Sequence, residues 1–181
     1  MPQLAVVGLL LVLLAACSSS GDGEPEPAAV TGSPDQTALR QDLATLFAGD
    51  SPRPADVADG ECFADRLLAD TTPEQLQEGG LTDSSGQLVG ELPSLPEELA
   101  GTVADAQLAC IDVVESSTRA LTAARKGDLD AEAYADCLRR DLPPDTQREA
   151  LVATLMGEWD DPALGRLADA QLACVDEQQR P

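Results

Sequence analysis

Five cysteines and no histidine set the chemistry open to this 181-residue chain. Four of them, Cys62, Cys110, Cys137 and Cys174, stand 48, 27 and 37 residues apart. Zinc sites draw on close ligand pairs such as Cys-x-x-Cys or on histidine, and the sequence offers neither. A redox dithiol wants the same close pair beside an activating group. Metal and redox chemistry are therefore the weaker alternatives, and no metal ligand is assigned. Outside the cytoplasm, an even set of thiols on a short chain reads as structural disulfides. Four cysteines allow three connectivities. An internal duplication, described below, favours the one that gives each half the same bond, Cys62–Cys110 and Cys137–Cys174. On the chain-entropy model, closing loops of this size stabilises by roughly 3.5–4 kcal/mol each.

Other candidate sites are weaker. Asp128-x-Asp130-x-Glu132 begins like a calcium loop, but Ala133 stands where the sharp turn needs glycine and Arg139 where a bidentate Glu would close the site. The cluster reads as a helix N-cap. Trp159-Asp160-Asp161 reads as a capped turn with a half-buried indole. Carboxylates are too numerous for any pair to single out glycosidase chemistry. Nucleophile-elbow, Ser-x-x-Lys, phosphate-loop and dinucleotide fingerprints are absent, and no catalytic residue is assigned. Gln107 and Gln171 occupy equivalent places in a repeated segment and are candidates to line a groove. A surface or inter-helix hydrogen bond is the commoner role for such groups.

The fifth cysteine sits apart. Residues 1–16 carry no charged side chain, and the apolar run from Leu4 to Ala16 would reach about 20 Å as a helix, short of the roughly 30 Å hydrocarbon core. It reads as an export h-region. It ends in Leu14-Ala15-Ala16-Cys17, which resembles the lipobox of bacterial lipoproteins. That resemblance implies a signal peptide over 1–16, cleavage between Ala16 and Cys17, and a diacylglyceryl group (palmitate-type chains) on the Cys17 thiol. It places the chain on the extracytoplasmic face of the cell membrane. Acyl chains hold at about 0.8 kcal/mol per buried methylene. No cofactor beyond this covalent lipid is implied. The sequence departs from the usual pattern in having no Lys or Arg before the apolar run. Residues 17–34, rich in Ser, Gly, Glu, Pro and Ala, read as a flexible linker with an r.m.s. span of some 20–25 Å.

The elements that must position the cysteines follow from a repeat. Ala104–Asp112 reads ADAQLACID and Ala168–Asp176 reads ADAQLACVD, eight matches in nine at an offset of 64. The fold class is therefore all-α: two duplicated, disulfide-closed helical repeats, over 35–119 and 120–181, forming one compact helical domain. A pseudo-twofold axis would bury the two ADAQLAC helices together. Ser33-Pro34-Asp35-Gln36 predicts a capped first helix with Leu39, Leu43, Leu46 and Phe47 on its inner face. A second helix within 54–69 carries Cys62, with Gly60 delaying its start. Thr72-Pro73-Glu74-Gln75 and Ser94-Leu95-Pro96-Glu97 read as two more capping boxes. The latter opens a long helix whose stripe is Leu99, Val103, Ala106 and Cys110. Helices over 130–140, 144–157 and 162–178 follow. They carry Cys137, then Leu151, Val152, Leu155 and Met156, and finally Ala163, Leu167, Ala170 and Cys174.

A net charge of −22 argues against nucleic acid and against electrostatic docking on anionic lipid. It leaves a basic protein or a cationic ligand as a partner. Ten arginines to one lysine and abundant alanine suggest a GC-rich genome, and the exported part resembles small cysteine-containing envelope lipoproteins of actinobacteria. The functional expectation is a membrane-anchored protein with a non-catalytic binding or scaffold role. The alternative is a cell-wall or glycan hydrolase using Asp/Glu chemistry.

Overall fold

The computed structural model describes residues 34–178, apart from 50, 51, 91 and 127. The signal peptide, Cys17 and the cap at Ser33 lie outside the described residues. Among those described there are eight α-helices, one isolated β-bridge (Thr82 to Leu88) and no strand. The protein is all-α and disulfide-closed. Its residues group into two compact units, one ending at Pro93 and one beginning at Ser94.

In the first unit, α1 (Pro34–Ala48) packs along α2 (Pro54–Asp70). Leu39 and Leu43 are buried, and Phe47 stacks on Phe63 with ring centroids 4.4 Å apart. Leu46, expected on the same face, is exposed, because contact runs along the i, i+4, i+8 row alone. Gly60 does not delay α2. It lies buried inside the helix, and a Cβ there would overlap the Ala44 carbonyl oxygen. The glycine is what lets the two backbones approach. α3 (Pro73–Glu78) starts on the predicted box, with Gln75 N–H donating to Thr72 Oγ1 (3.2 Å) and Thr72 N–H to Gln75 Oε1 (2.8 Å). In the loop beyond, Asp83 Oδ1 accepts from the N–H of Ser85 and of Gln87 (2.8 and 3.1 Å).

The second unit holds α4 (Glu97–Cys110), α5 (Val113–Ala124), α6 (Ala131–Asp141), α7 (Pro144–Met156) and α8 (Pro162–Gln178). Ser94 does not cap α4; the N-cap is Pro96, without a side-chain bond. Leu95 is instead buried, and its N–H donates to the Leu155 carbonyl at 2.8 Å. That strap spends the capping segment on packing. The long predicted helix breaks after Cys110, where Ile111 is extended and Asp112 caps α5 by accepting from Glu115 N–H (2.9 Å). The twin nonapeptide does not break: α8 runs on through Asp176 to Gln178. Asp112 has a following helix to cap, Val113–Ala124, and no helix follows Asp176 among the described residues.

The two ADAQLAC helices do not chiefly bury one another. α7 is the main neighbour of both. This is why the compact unit begins at Ser94, upstream of the repeat boundary at 119/120. A helix flanked on two sides needs small side chains at the contacts. Ala150 and Ala153 are accordingly the buried residues of α7, while Leu151, Val152, Leu155 and Met156 are half-buried. Two further buried clusters are Val114, Tyr134, Ala135, Leu138 and the two cysteines, and Leu142, Ala150, Ala163, Leu167 and Ala170; α4 adds Leu99, Ala100, Val103, Ala104 and Ala106.

Candidate functional site

The most chemically concentrated place among the described residues is where α6 meets α8. Cys137 lies on the inner face of α6 beside Tyr134 and Leu138, because positions 134, 137, 138 and 141 share one helical stripe. Cys174 is fully buried on α8 at the end of the Ala163, Leu167, Ala170 stripe. The two form a disulfide with a Cα–Cα separation of 5.6 Å. Cys62 and Cys110 are disulfide-bonded as well, and the pairs are Cys62–Cys110 and Cys137–Cys174, as the duplication favours.

One turn on from each bridged cysteine stands a carboxylate: Asp141 at i+4 on α6 and Glu177 at i+3 on α8. Asp141 Oδ2 and Glu177 Oε2 lie 3.7 and 3.6 Å from Cys137 Sγ. A disulfide sulfur carries no hydrogen, so these are contacts and not donated bonds. Arg140 Nη2 sits in their midst, donating to Glu177 Oε2 at 2.8 Å, to Asp141 Oδ2 at 3.1 Å and to Cys137 Sγ at 3.2 Å. The hydrogen bonds that Arg140 donates to Asp141 and Glu177 raise its pKa, and the bond from Arg140 holds the Asp141 carboxyl below its usual range. Burial pushes the neighbouring Tyr134 hydroxyl up to about 12.

Sequence reasoning found the cysteines and missed this ring. The signal was present: Cys-x-x-x-Asp on one helix and Cys-x-x-Glu on the other place each carboxylate on its cysteine's face.

The remaining candidates separate. Asp130 caps α6, its Oδ1 accepting from Ala133 N–H at 3.0 Å, which is the capping role and not a calcium loop. Trp159 is 63% exposed; the turn it occupies holds it out, against the expectation of a half-buried indole. Gln107 and Gln171 are half-buried on separate helices, and neither lines either of two shallow depressions in the described residues. One of these depressions runs between α4 and α7. It is lined by Glu97, Glu98, Gly101, Thr102, Asp105, Arg148 and Val152, and Arg148 grips Asp105 with two bonds of 2.6 and 2.8 Å. No helix among the described residues is long and apolar enough to cross a membrane.

No protein-family model, curated protein or solved structure matches the chain.

Proposed function

We propose that this is a lipid-anchored protein of the extracytoplasmic face of the cell membrane, with a non-catalytic binding or scaffold role toward a basic protein or cationic ligand. The observation that carries the partner class is the use made of the few cations. Among the described residues, Arg40, Arg53, Arg119, Arg139, Arg140, Arg148 and Arg166 are held in ion pairs within the chain. Arginines already committed to intramolecular carboxylates contribute little to recognising an anion, while a surplus of carboxylates stays on the surface. Such a surface steers cations and repels polyanions. The anchor rests on Leu14-Ala15-Ala16-Cys17, and two disulfides agree with an oxidising compartment.

Two measurements test the reading. Cys17→Ala should move the protein from the membrane to the soluble fraction and abolish acyl labelling; labelling that persists overturns the anchor. Cross-linking of the anchored protein in intact cells should trap a basic partner, and its recovery should fall as salt rises, because screening shortens the reach of exposed charges to about 8 Å at physiological ionic strength. Recovery of glycan fragments with turnover would replace this reading with the hydrolase.

A further inference from the structure

We infer that the turn at Arg125-Lys126 is a processing site for an endopeptidase of basic specificity, and that cutting it leaves the C-terminal half folded on its own bridge. Three observations carry this. First, the turn stands apart from the other basic residues. Among those described, every other one except Arg53 lies inside a helix, where the backbone bonds resist the extended form a peptidase must bind. Arg53 is followed by Pro54, whose ring and missing N–H obstruct cleavage. Second, the turn is open. Ala123, Ala124, Arg125 and Lys126 are all exposed. Lys126 has φ +53°, and no other non-glycine residue among those described has a positive φ; a side chain disfavours that conformation. The bonds that close the turn, Lys126 N–H to the Ala123 carbonyl (3.2 Å) and Asp128 N–H to the Arg125 carbonyl (3.1 Å), are few and sit at a helix end, where fraying begins. Third, the covalent and apolar ties fall on either side of it. Cys62–Cys110 lies wholly before the turn and Cys137–Cys174 wholly after it. The cluster of Leu142, Ala150, Ala163, Leu167 and Ala170 lies wholly after it too, and the cluster around Cys137 takes only Val114 and Leu121 from before it.

The step is hydrolysis. One water adds across the Arg125–Lys126 amide, leaving a carboxylate on Arg125 and an amine on Lys126. A carboxylate in the peptidase's specificity pocket takes the Arg125 guanidinium through paired hydrogen bonds. Helices α6, α7 and α8 then stay with the rest of the chain non-covalently, chiefly through α4–α7 and α5–α6 packing. If Cys17 carries the anchor, the cut also parts this half from the membrane; that consequence rests on the reading above, and the cut itself does not.

The test has two arms, both on the full chain without reductant. In the first, trace trypsin is the probe. The earliest new N-terminus should fall at Arg125-Lys126, the two pieces should separate on a denaturing gel without reductant, and the nicked sample should keep most of its helicity by circular dichroism. The double variant Arg125→Gln/Lys126→Gln, with unchanged helicity, should be cut at least about tenfold more slowly, since the remaining sites open only by unfolding a helix. In the second arm, an antibody to the C-terminal half is used on intact cells of the source. It should find a fragment that begins at this turn, and the fragment should vanish in the double variant. Full-length chain alone in those cells overturns the inference. So does a first trypsin cut inside a helix, a nicked chain that loses its helices, or a cell fragment that survives in the double variant. None of these outcomes bears on Cys17, which acyl labelling tests separately.

Discussion

A Cβ on Gly157 would stand 2.6 Å from Ser94 Oγ. Gly157 closes α7 in the left-handed conformation, φ +74°, with its N–H bonded to the Ala153 and Thr154 carbonyls. Two separate demands thus fall on one residue, a positive φ and room for the strand of chain that leads into α4. Gly157→Ala should destabilise by about 1–3 kcal/mol, the strained backbone and the overlap both contributing. Placing the change in a Ser94→Gly background should recover the part due to overlap and leave the part due to φ. Urea unfolding of the four proteins gives the coupling; strict additivity would refute the contact.

Cys137→Ala/Cys174→Ala should cost about 4 kcal/mol on the chain-entropy model, given the separation of 37 residues. The two alanines also leave small voids beside Tyr134 and Leu138, which pack against the bridge, so the loss should not be smaller than the entropy figure. Denaturant midpoints measured without reductant check this. A change under about 1 kcal/mol would mean the unfolded chain is already compact there.

What could be read from the sequence depended on how local each decision was. The Thr72/Gln75 box, the Asp161-Pro162 start of α8 and the Asp130 cap are settled within three or four residues, and each forms as its spacing predicts. The disulfide pairing was legible because the duplication carried non-local information into a one-dimensional pattern. Ser94-Leu95-Pro96-Glu97 has the same local signature as Thr72-Pro73-Glu74-Gln75. It was redirected by a partner sixty residues away, since Leu95 binds the Leu155 backbone. The inner face of α7 was misread for the same reason: apolar periodicity marks Leu151 and Leu155, and only knowledge that α4 and α8 both approach it singles out Ala150 and Ala153. Gly60 reads as a helix breaker until α1 is seen against it. The ring around Cys137 needed the α6–α8 pairing before four spaced residues became neighbours.

Arg148 and Asp105 tie α7 to α4 through two parallel bonds. The pair is half exposed, so its worth is about 0.5 kcal/mol. The hydrogen bonds from Arg148 hold the Asp105 carboxyl below its usual pKa. A carboxyl whose folded pKa is depressed favours folding above its unfolded value, near 4, and the contribution is lost as pH falls through the folded value. The stability difference between the native chain and Asp105→Asn should therefore be flat from pH 8 to pH 5 and close below pH 4. Urea unfolding at a series of pH values tests this; a gap that widens in acid contradicts the pairing.

Trp159 is the chain's one tryptophan, and at 63% exposure it reports on the turn between α7 and α8. Glu158 N–H bonds back to the Ala153 carbonyl at 2.9 Å and Asp161 N–H to the Glu158 carbonyl at 3.0 Å. These bonds fix the backbone on either side while the indole stays in water. Its emission should already sit near that of indole in water in the folded protein, be open to acrylamide quenching, and shift little on unfolding. Helicity followed by circular dichroism would then fall through a cooperative transition that fluorescence wavelength barely registers. A blue-shifted, protected indole would place the turn against other parts of the protein and make Trp159 part of a packed surface.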